Sequence, residues 1–140
     1  MKRREPVSHI MTKEVISVDY TASLKDIKHI IEDKHIRHIP VLNGNKVVGI
    51  ISKTDYLQLT LGAVYPNQED ANEALMEMFK LEDLMVKNPI CVQPDTTIRE
   101  VTEIFILNEF HALPVTENDK LVGIVSVKDV LKFLDELYYN

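Results

Sequence analysis

The chain has 140 residues, with 16 Lys+Arg against 22 Asp+Glu and a net charge of −6. That length is enough to bury a core, the acidic balance argues against general nucleic-acid affinity, and the lone Cys91 excludes an internal disulfide or a thiolate-cluster metal site. No apolar run approaches the roughly 20 residues of a spanning helix, and no signal-like stretch follows Met1-Lys2-Arg3-Arg4-Glu5, so a cytoplasmic protein without a membrane partner is expected.

In chain order, His9-Ile10-Met11 supplies apolar residues for the entry to the domain, and Val15 to Val18 reads as a short strand broken by the polar cluster after Asp19. Ser23 then precedes Leu24, Ile27, Ile30 and Ile31, spaced to form one apolar helix face, with Asp26 placed to complete a capping box and an end expected near Lys34. Ile39-Pro40-Val41-Leu42 and Val47-Val48-Gly49-Ile50-Ile51 read as strands joined by an Asn43-Gly44 turn. Ser52 caps a second helix carrying Tyr56, Leu57, Leu59 and Leu61. Gly62 to Asn67 reads as a loop, and Glu69 to Phe79 as a helix with Ala71, Ala74, Leu75 and Met78 on one packing side and Met76 as a further soft contact.

The same order then recurs. Strand Ile90 to Val92 contains Cys91 as a small buried hydrophobe; a helix behind Thr97 has Glu100 as capping-box partner and Ile98, Val101, Ile104 and Phe105 as its apolar face. Strand Leu113 to Thr116, turn Glu117-Asn118-Asp119, strand Leu121 to Val125 and a helix from Val127 towards Tyr138 complete it. An ungapped offset of 123 − 49 = 74 residues aligns Gly49-Ile50-Ile51-Ser52-Lys53-Thr54-Asp55 with Gly123-Ile124-Val125-Ser126-Val127-Lys128-Asp129, and 14 of the 50 pairs from His9/Asp83 to Gln58/Lys132 are identical. The unit is β-α-β-β-α, twice over. Each copy is too small to be more than marginal alone, so a shared core is expected.

Ser52-x-x-Asp55 and Ser126-x-x-Asp129 are helix starts, and the plain reading of each is a cap worth roughly 1 kcal/mol. The alternative is a site. A glycine three residues before each serine clears space beside a helix N-terminus whose N–H groups and dipole favour an anion, and the aspartate is a fixed acceptor for vicinal hydroxyls. A ribose phosphate needs that combination, with flat apolar walls from Val15-Ile16 and Ile39-Pro40 in copy one and from Ile90 with Leu113-Pro114 in copy two. His29, His35, His38 and His111 match no zinc spacing, and no nucleophile, base and orienting residue stand in a recognisable arrangement, so neither a metal site nor catalysis is expected.

Asp83-Leu84-Met85 with His9-Ile10-Met11, Arg37-His38-Ile39-Pro40-Val41 with His111-Ala112-Leu113-Pro114-Val115, and the two Gly-x-x-Ser-x-x-Asp stretches together resemble the cystathionine β-synthase (CBS) domain family, the tandem pair being similar to a Bateman module. The resemblance implies an α/β (α+β) fold of two pseudo-twofold-related β-α-β-β-α units packed through their sheets. The expected division is a first repeat with its tail at 1–62, a loop and helix at 63–80, and a second repeat at 81–140.

It also implies a regulatory module that binds an adenosine-containing compound, AMP, ADP, ATP or S-adenosylmethionine, in clefts between the sheets. Carried over residue by residue, Asp55 and Asp129 hold ribose hydroxyls. The phosphate side has Ser52, Lys53, Thr54, Arg37 and His38 in copy one, and Ser126, Lys128 and His111 in copy two. Val15, Ile16, Ile39, Pro40 and Ile50, with Ile90, Leu113, Pro114 and Ile124, flank the adenine. Copy two has Ala112 opposite His38 and Val127 opposite Lys53, so the more cationic copy one is expected to bind the phosphate end more tightly; Tyr20 stands where copy two has Pro94 and departs from the pattern. The expected output is a change of orientation passed to an effector protein or to a second copy in a homodimer, through the helices ending near Leu61 and Leu134. No catalytic cofactor is implied. The competing expectation is a ligand-free structural or dimerisation module.

Overall fold

Short apolar strands and the helices beside them cannot hide their apolar faces separately, and the computed structural model, which describes residues 4–61, 74 and 77–139, shows how they are covered. The chain forms two compact mixed α/β units, one of residues 16–88 and one of residues 1–15 with 89–140. Among the described residues of the first unit, β1 (Val18–Asp19) lies parallel to β2 (His38–Asn43), β2 pairs antiparallel with β3 (Lys46–Ser52), and β3 pairs antiparallel with β4 (Val86–Lys87). Helix α1 (Leu24–Asp33) starts at Ser23, whose Oγ accepts from the Asp26 N–H while Asp26 accepts from the Ser23 N–H, the expected capping box. It ends at Lys34, and His35 takes φ 56, the left-handed turn that commonly closes a helix.

The predicted face of α1 is the buried one. Leu24, Ile27, Ile30 and Ile31 pack with Ile39, Val41, Ile51, Tyr56 and Leu81, where Tyr56 belongs to α2 (Lys53–Leu61) and Leu81 to α3 (Leu81–Leu84). Ile27, Ile39 and Ile51 are completely enclosed, each burial stabilising the unit by roughly 1.5–3 kcal/mol. Burial pushes the Tyr56 phenol up to about 12, helped by the Glu32 carboxylate on α1 to which it donates, so a charge-assisted hydrogen bond joins the two helices.

The second unit repeats this plan. β5 (Ala112–Glu117) and β6 (Lys120–Ser126) form its hairpin, α4 (Ile98–Leu107) carries the Thr97–Glu100 capping box, and α5 (Val127–Tyr139) follows β6. Val7, Val92, Val101, Leu113, Val115, Val125 and Val130 make its core, with Ile104 and Phe105 packed at the edge. Both hairpins have two-residue loops, but the central residues differ from the expected Asn43-Gly44. Asn43 pairs with Lys46, so the loop is Gly44-Asn45 with Gly44 at φ 63; Asn118 and Asp119, at φ 51 and 62, both turn left-handed, as a tight hairpin demands.

The segment ahead of each copy belongs to the compact unit of the other copy. Val86 and Lys87 pair with Ile50 and Gly49, and Leu81 joins the core of the first unit. At the equivalent place in the second unit, Thr12 exchanges both backbone bonds with Ile124, at 2.9 and 3.0 Å, and Val7 is buried.

Four expectations need correction. The strand expected at Val15 to Val18 is only Val18–Asp19, and that at Ile90 to Val92 shrinks to a single bridge from Val92 to Val115, because the backbone before each runs outside the ladder. Cys91 is exposed rather than buried, its thiol directed to the Pro89 carbonyl at 3.6 Å; partial burial of the sulfur still pushes the thiol above its ordinary value. Of the inter-repeat helix, Ala74 and Met78 are helical but exposed, Met78 to 75%, so neither faces a core; Gly62 to Asn67, Ala71, Leu75 and Met76 lie outside the described residues.

Candidate functional site

Strand register collects the candidate residues on one face of each hairpin. His38 stands opposite Ser52 and Pro40 opposite Ile50, while Ile39 and Ile51, one step along, point to the helix-covered core. The second unit matches, with Ala112 opposite Ser126 and Pro114 opposite Ile124. Each serine is the last residue of its strand and the cap of the helix that follows.

Both caps are fully formed. The Ser52 N–H donates to Asp55 Oδ2 at 3.1 Å and the Asp55 N–H to Ser52 Oγ at 3.0 Å; the Ser126 and Asp129 distances are 2.9 and 3.1 Å. All four residues are half-buried. The Lys53 N–H is also taken, by the Arg37 carbonyl at 2.7 Å, and the Val127 N–H by the His111 carbonyl at 2.9 Å. Of the first three helical N–H groups, these bonds therefore leave that of Thr54 in one unit and that of Lys128 in the other. The helix start is less generous to an anion than an uncapped one would be. What the cap leaves is specific. Oδ2 of each aspartate is engaged and Oδ1 is the second acceptor, and each serine oxygen, having accepted, keeps its own O–H proton to donate.

The glycines do something other than clear space for a ligand. A Cβ on Gly49 would lie 2.3 Å from the Met85 sulfur, and one on Gly123 would lie 2.6 Å from the Met11 sulfur. The room that each missing side chain creates is filled by a thioether from the packed segment of the same unit.

Comparison with known proteins accounts for this duplicated plan. The CBS domain family matches twice, over residues 7–62 and 81–136. The chain belongs to the CBS domain family. MJ1225 of Methanocaldococcus jannaschii is 30% identical over 132 residues, covering 92% of this chain and 47% of that protein, so the chain spans about half the length of this curated relative. The structure of CBSX2, a CBS-pair protein of Arabidopsis thaliana, in complex with AMP is 25% identical at a TM-score of 0.78, covering 96% of this chain and 99% of that one. The CBS domain pair of MJ0100, in complex with 5′-methylthioadenosine and S-adenosyl-L-methionine, shares the fold at TM-score 0.78 and 22% identity over 94% and 97% of the two chains.

Within each CBS repeat, the candidate residues separate into groups. Arg37, Lys53, Thr54, His111 and Lys128 are exposed around the caps, and His38 is half-buried on the strand face beside Ser52. Of the apolar set, Ile39 and Leu113 are core residues, 0% and 1% exposed, so their side chains are committed to packing. Pro40, Pro114 and Ile50 are buried on the opposite strand face and Ile124 is half-buried there; Ile16 borders the first core, Ile90 is 45% exposed, and Val15 falls with residues 1–15 in the second unit. The Met–Gly contacts were missed from sequence, although Met11 and Met85 align with each other and so do Gly49 and Gly123. Among the described residues no cluster of three or more His, Cys, Asp or Glu side chains could hold a metal ion, and no helix is long and apolar enough to cross a membrane.

Proposed function

We propose that the chain is a non-catalytic cytoplasmic sensor that binds an adenosine-containing compound at the Ser-x-x-Asp faces. The observation that carries this is the twice-built cap, whose bonds leave on each unit a second carboxylate oxygen and a serine hydroxyl proton. Vicinal ribose hydroxyls would donate to Oδ1 of Asp55 or Asp129, and the Ser52 or Ser126 O–H would donate to a phosphate oxygen or its replacement. Arg37, His38, Lys53 and Thr54 would serve a phosphate on the first unit. His111 and Lys128 would serve the second, where Ala112 and Val127 replace two polar groups and a less anionic compound is favoured. The strand-face residues Pro40, Ile50, Pro114 and Ile124 would flank the base, with Ile16 and Ile90 as further apolar groups, and the enclosed Ile39 and Leu113 side chains are not offered to it. That CBSX2 binds AMP and MJ0100 binds 5′-methylthioadenosine and S-adenosyl-L-methionine supports this ligand class.

A ligand shifts the module only by binding one arrangement better than another, and that preference is then passed to an effector protein or a second copy in a homodimer. A thermal-shift panel of AMP, ADP, ATP, S-adenosylmethionine and NAD tests the reading. Binding at tens of micromolar raises the midpoint with concentration, whereas a flat panel assigns the chain to the second reading, a ligand-free interaction module. The completeness of the caps and the core burial of Ile39 and Leu113 favour that second reading.

A further inference from the structure

Met85 and Met11 each rest on the glycine of a hairpin, and each is the side chain that fastens a packed segment to that hairpin. Their sulfurs occupy the place of the missing Cβ of Gly49 and Gly123, at 2.3 and 2.6 Å from where it would be. Beside Met85, the Asn88 N–H donates to the Val48 carbonyl at 3.0 Å, and Val86 and Lys87 pair with β3. Beside Met11, Thr12 and Ile124 exchange bonds at 2.9 and 3.0 Å. Both methionines are half-buried at the edge of a core, which leaves them within reach of a small solute.

We propose that Met85 and Met11 are oxidation-sensitive latches, modified by hydrogen peroxide to methionine sulfoxide, and that the modification releases the segment each one holds. The thioether sulfur donates an electron pair to one peroxide oxygen as the O–O bond breaks. An S–O bond forms, and the other oxygen leaves as water once the peroxide proton has moved to it. Sulfur is oxidised by two electrons and peroxide is reduced by two. A flexible apolar side chain thereby becomes polar and larger in a place shaped by glycine backbone and bordered by apolar side chains. An oxygen acceptor that finds no donor there is expelled with the side chain, and the strand pairing beside it loosens. The inference is independent of which compound, if any, the caps bind.

The test treats the intact chain with hydrogen peroxide, locates the added oxygen by peptide mass, and follows hydrogen exchange at the Thr12, Asn88 and Ile124 amides. Sulfoxide at Met11 and Met85 should speed exchange there by roughly tenfold or more while leaving the amides inside α1, which bond only within their own helix, unchanged, and methionine sulfoxide reductases should restore protection. A Met11→Leu/Met85→Leu chain should not respond. Sulfoxide at both residues with unaltered exchange overturns the proposal. So does a peroxide dose that converts Met78, which is 75% exposed, while Met11 and Met85 stay reduced. Because the first comparison uses the unsubstituted chain, it stands even if the double variant folds poorly.

Discussion

Asp55 is asked to do two jobs, and two substitutions separate them. Asp55→Ala removes the acceptor that the Ser52 N–H reaches at 3.1 Å but leaves Ser52 Oγ to cap the helix, so half the capping box is lost, at a cost of about 1 kcal/mol to the unliganded protein. Asp55→Asn keeps an oxygen for that bond and should unfold within a few tenths of a kcal/mol of the parent. For a nucleotide the order of effects differs. A ribose bond to the charged Oδ1 is worth about 1.5–3 kcal/mol, so Asp55→Ala should weaken AMP binding roughly ten- to a hundredfold. Asp55→Asn, which keeps only a neutral acceptor, should weaken it by about five- to tenfold. Urea unfolding supplies the first series and isothermal calorimetry with AMP the second. If Asp55→Asn and Asp55→Ala bind AMP as the parent does, while only Asp55→Ala loses stability, the carboxylate is a helix cap and nothing more.

Other consequences are open to direct measurement. Because the Tyr56 phenol is raised to about 12 in the fold, its contribution is complete below pH 10 and is lost as pH rises from about 10 to 12. At 3% exposure that is on the order of 2 kcal/mol, and Tyr56→Phe should flatten this alkaline limb in a pH series of urea midpoints. Gly49→Ala forces the Met85 sulfur from its place and should cost about 1–3 kcal/mol, much of it recovered in the Gly49→Ala/Met85→Ala double variant by the same assay. Ile27→Ala, at a fully enclosed position, should cost about 2–5 kcal/mol in chemical denaturation. Thr97→Ala, which removes the oxygen accepting the Glu100 N–H at 3.1 Å, should cost about 1 kcal/mol, read from the same denaturation curves.

What was legible in the sequence is what local chemistry determines. Ser23 with Asp26, Thr97 with Glu100 and the apolar spacings behind them define two helices and their buried faces, because a capping box and a 3.6-residue period act within one turn. The hairpins follow from Asn-Gly and Asn-Asp signals between β-branched runs, with the loop misplaced by one residue in the first. The exchange of the leading segments was not legible, for a physical reason. Met11 and Met85 are the same residue, as are Gly49 and Gly123, so either methionine could fill either glycine's space and a repeat alignment cannot tell the two arrangements apart. Cys91 was misjudged because its apolar neighbours suggest a strand, whereas only Val92 is held in the ladder.

The residues shared by the two copies are mostly explained without a ligand. Pro40 and Pro114, Val41 and Val115, Gly49 and Gly123 are buried, and each Ser–Asp pair closes a capping box. Their recurrence is what packing and helix initiation require of two like units, so it bears little on what is bound. The positions that differ are more informative, because most face solvent and packing does not dictate them. Lys53 gives way to Val127 and Arg37 to His111, while Lys128 stands where the first unit has Thr54. The formally cationic groups beside the cap are thus Arg37 and Lys53 in one unit and Lys128 alone in the other. Since a charge-assisted bond is worth about twice a neutral one, two like scaffolds with unlike charge should rank ligands by their phosphates. The ratio of AMP to S-adenosylmethionine affinity in Lys53→Val, set against that in Val127→Lys, measures this separately from stability.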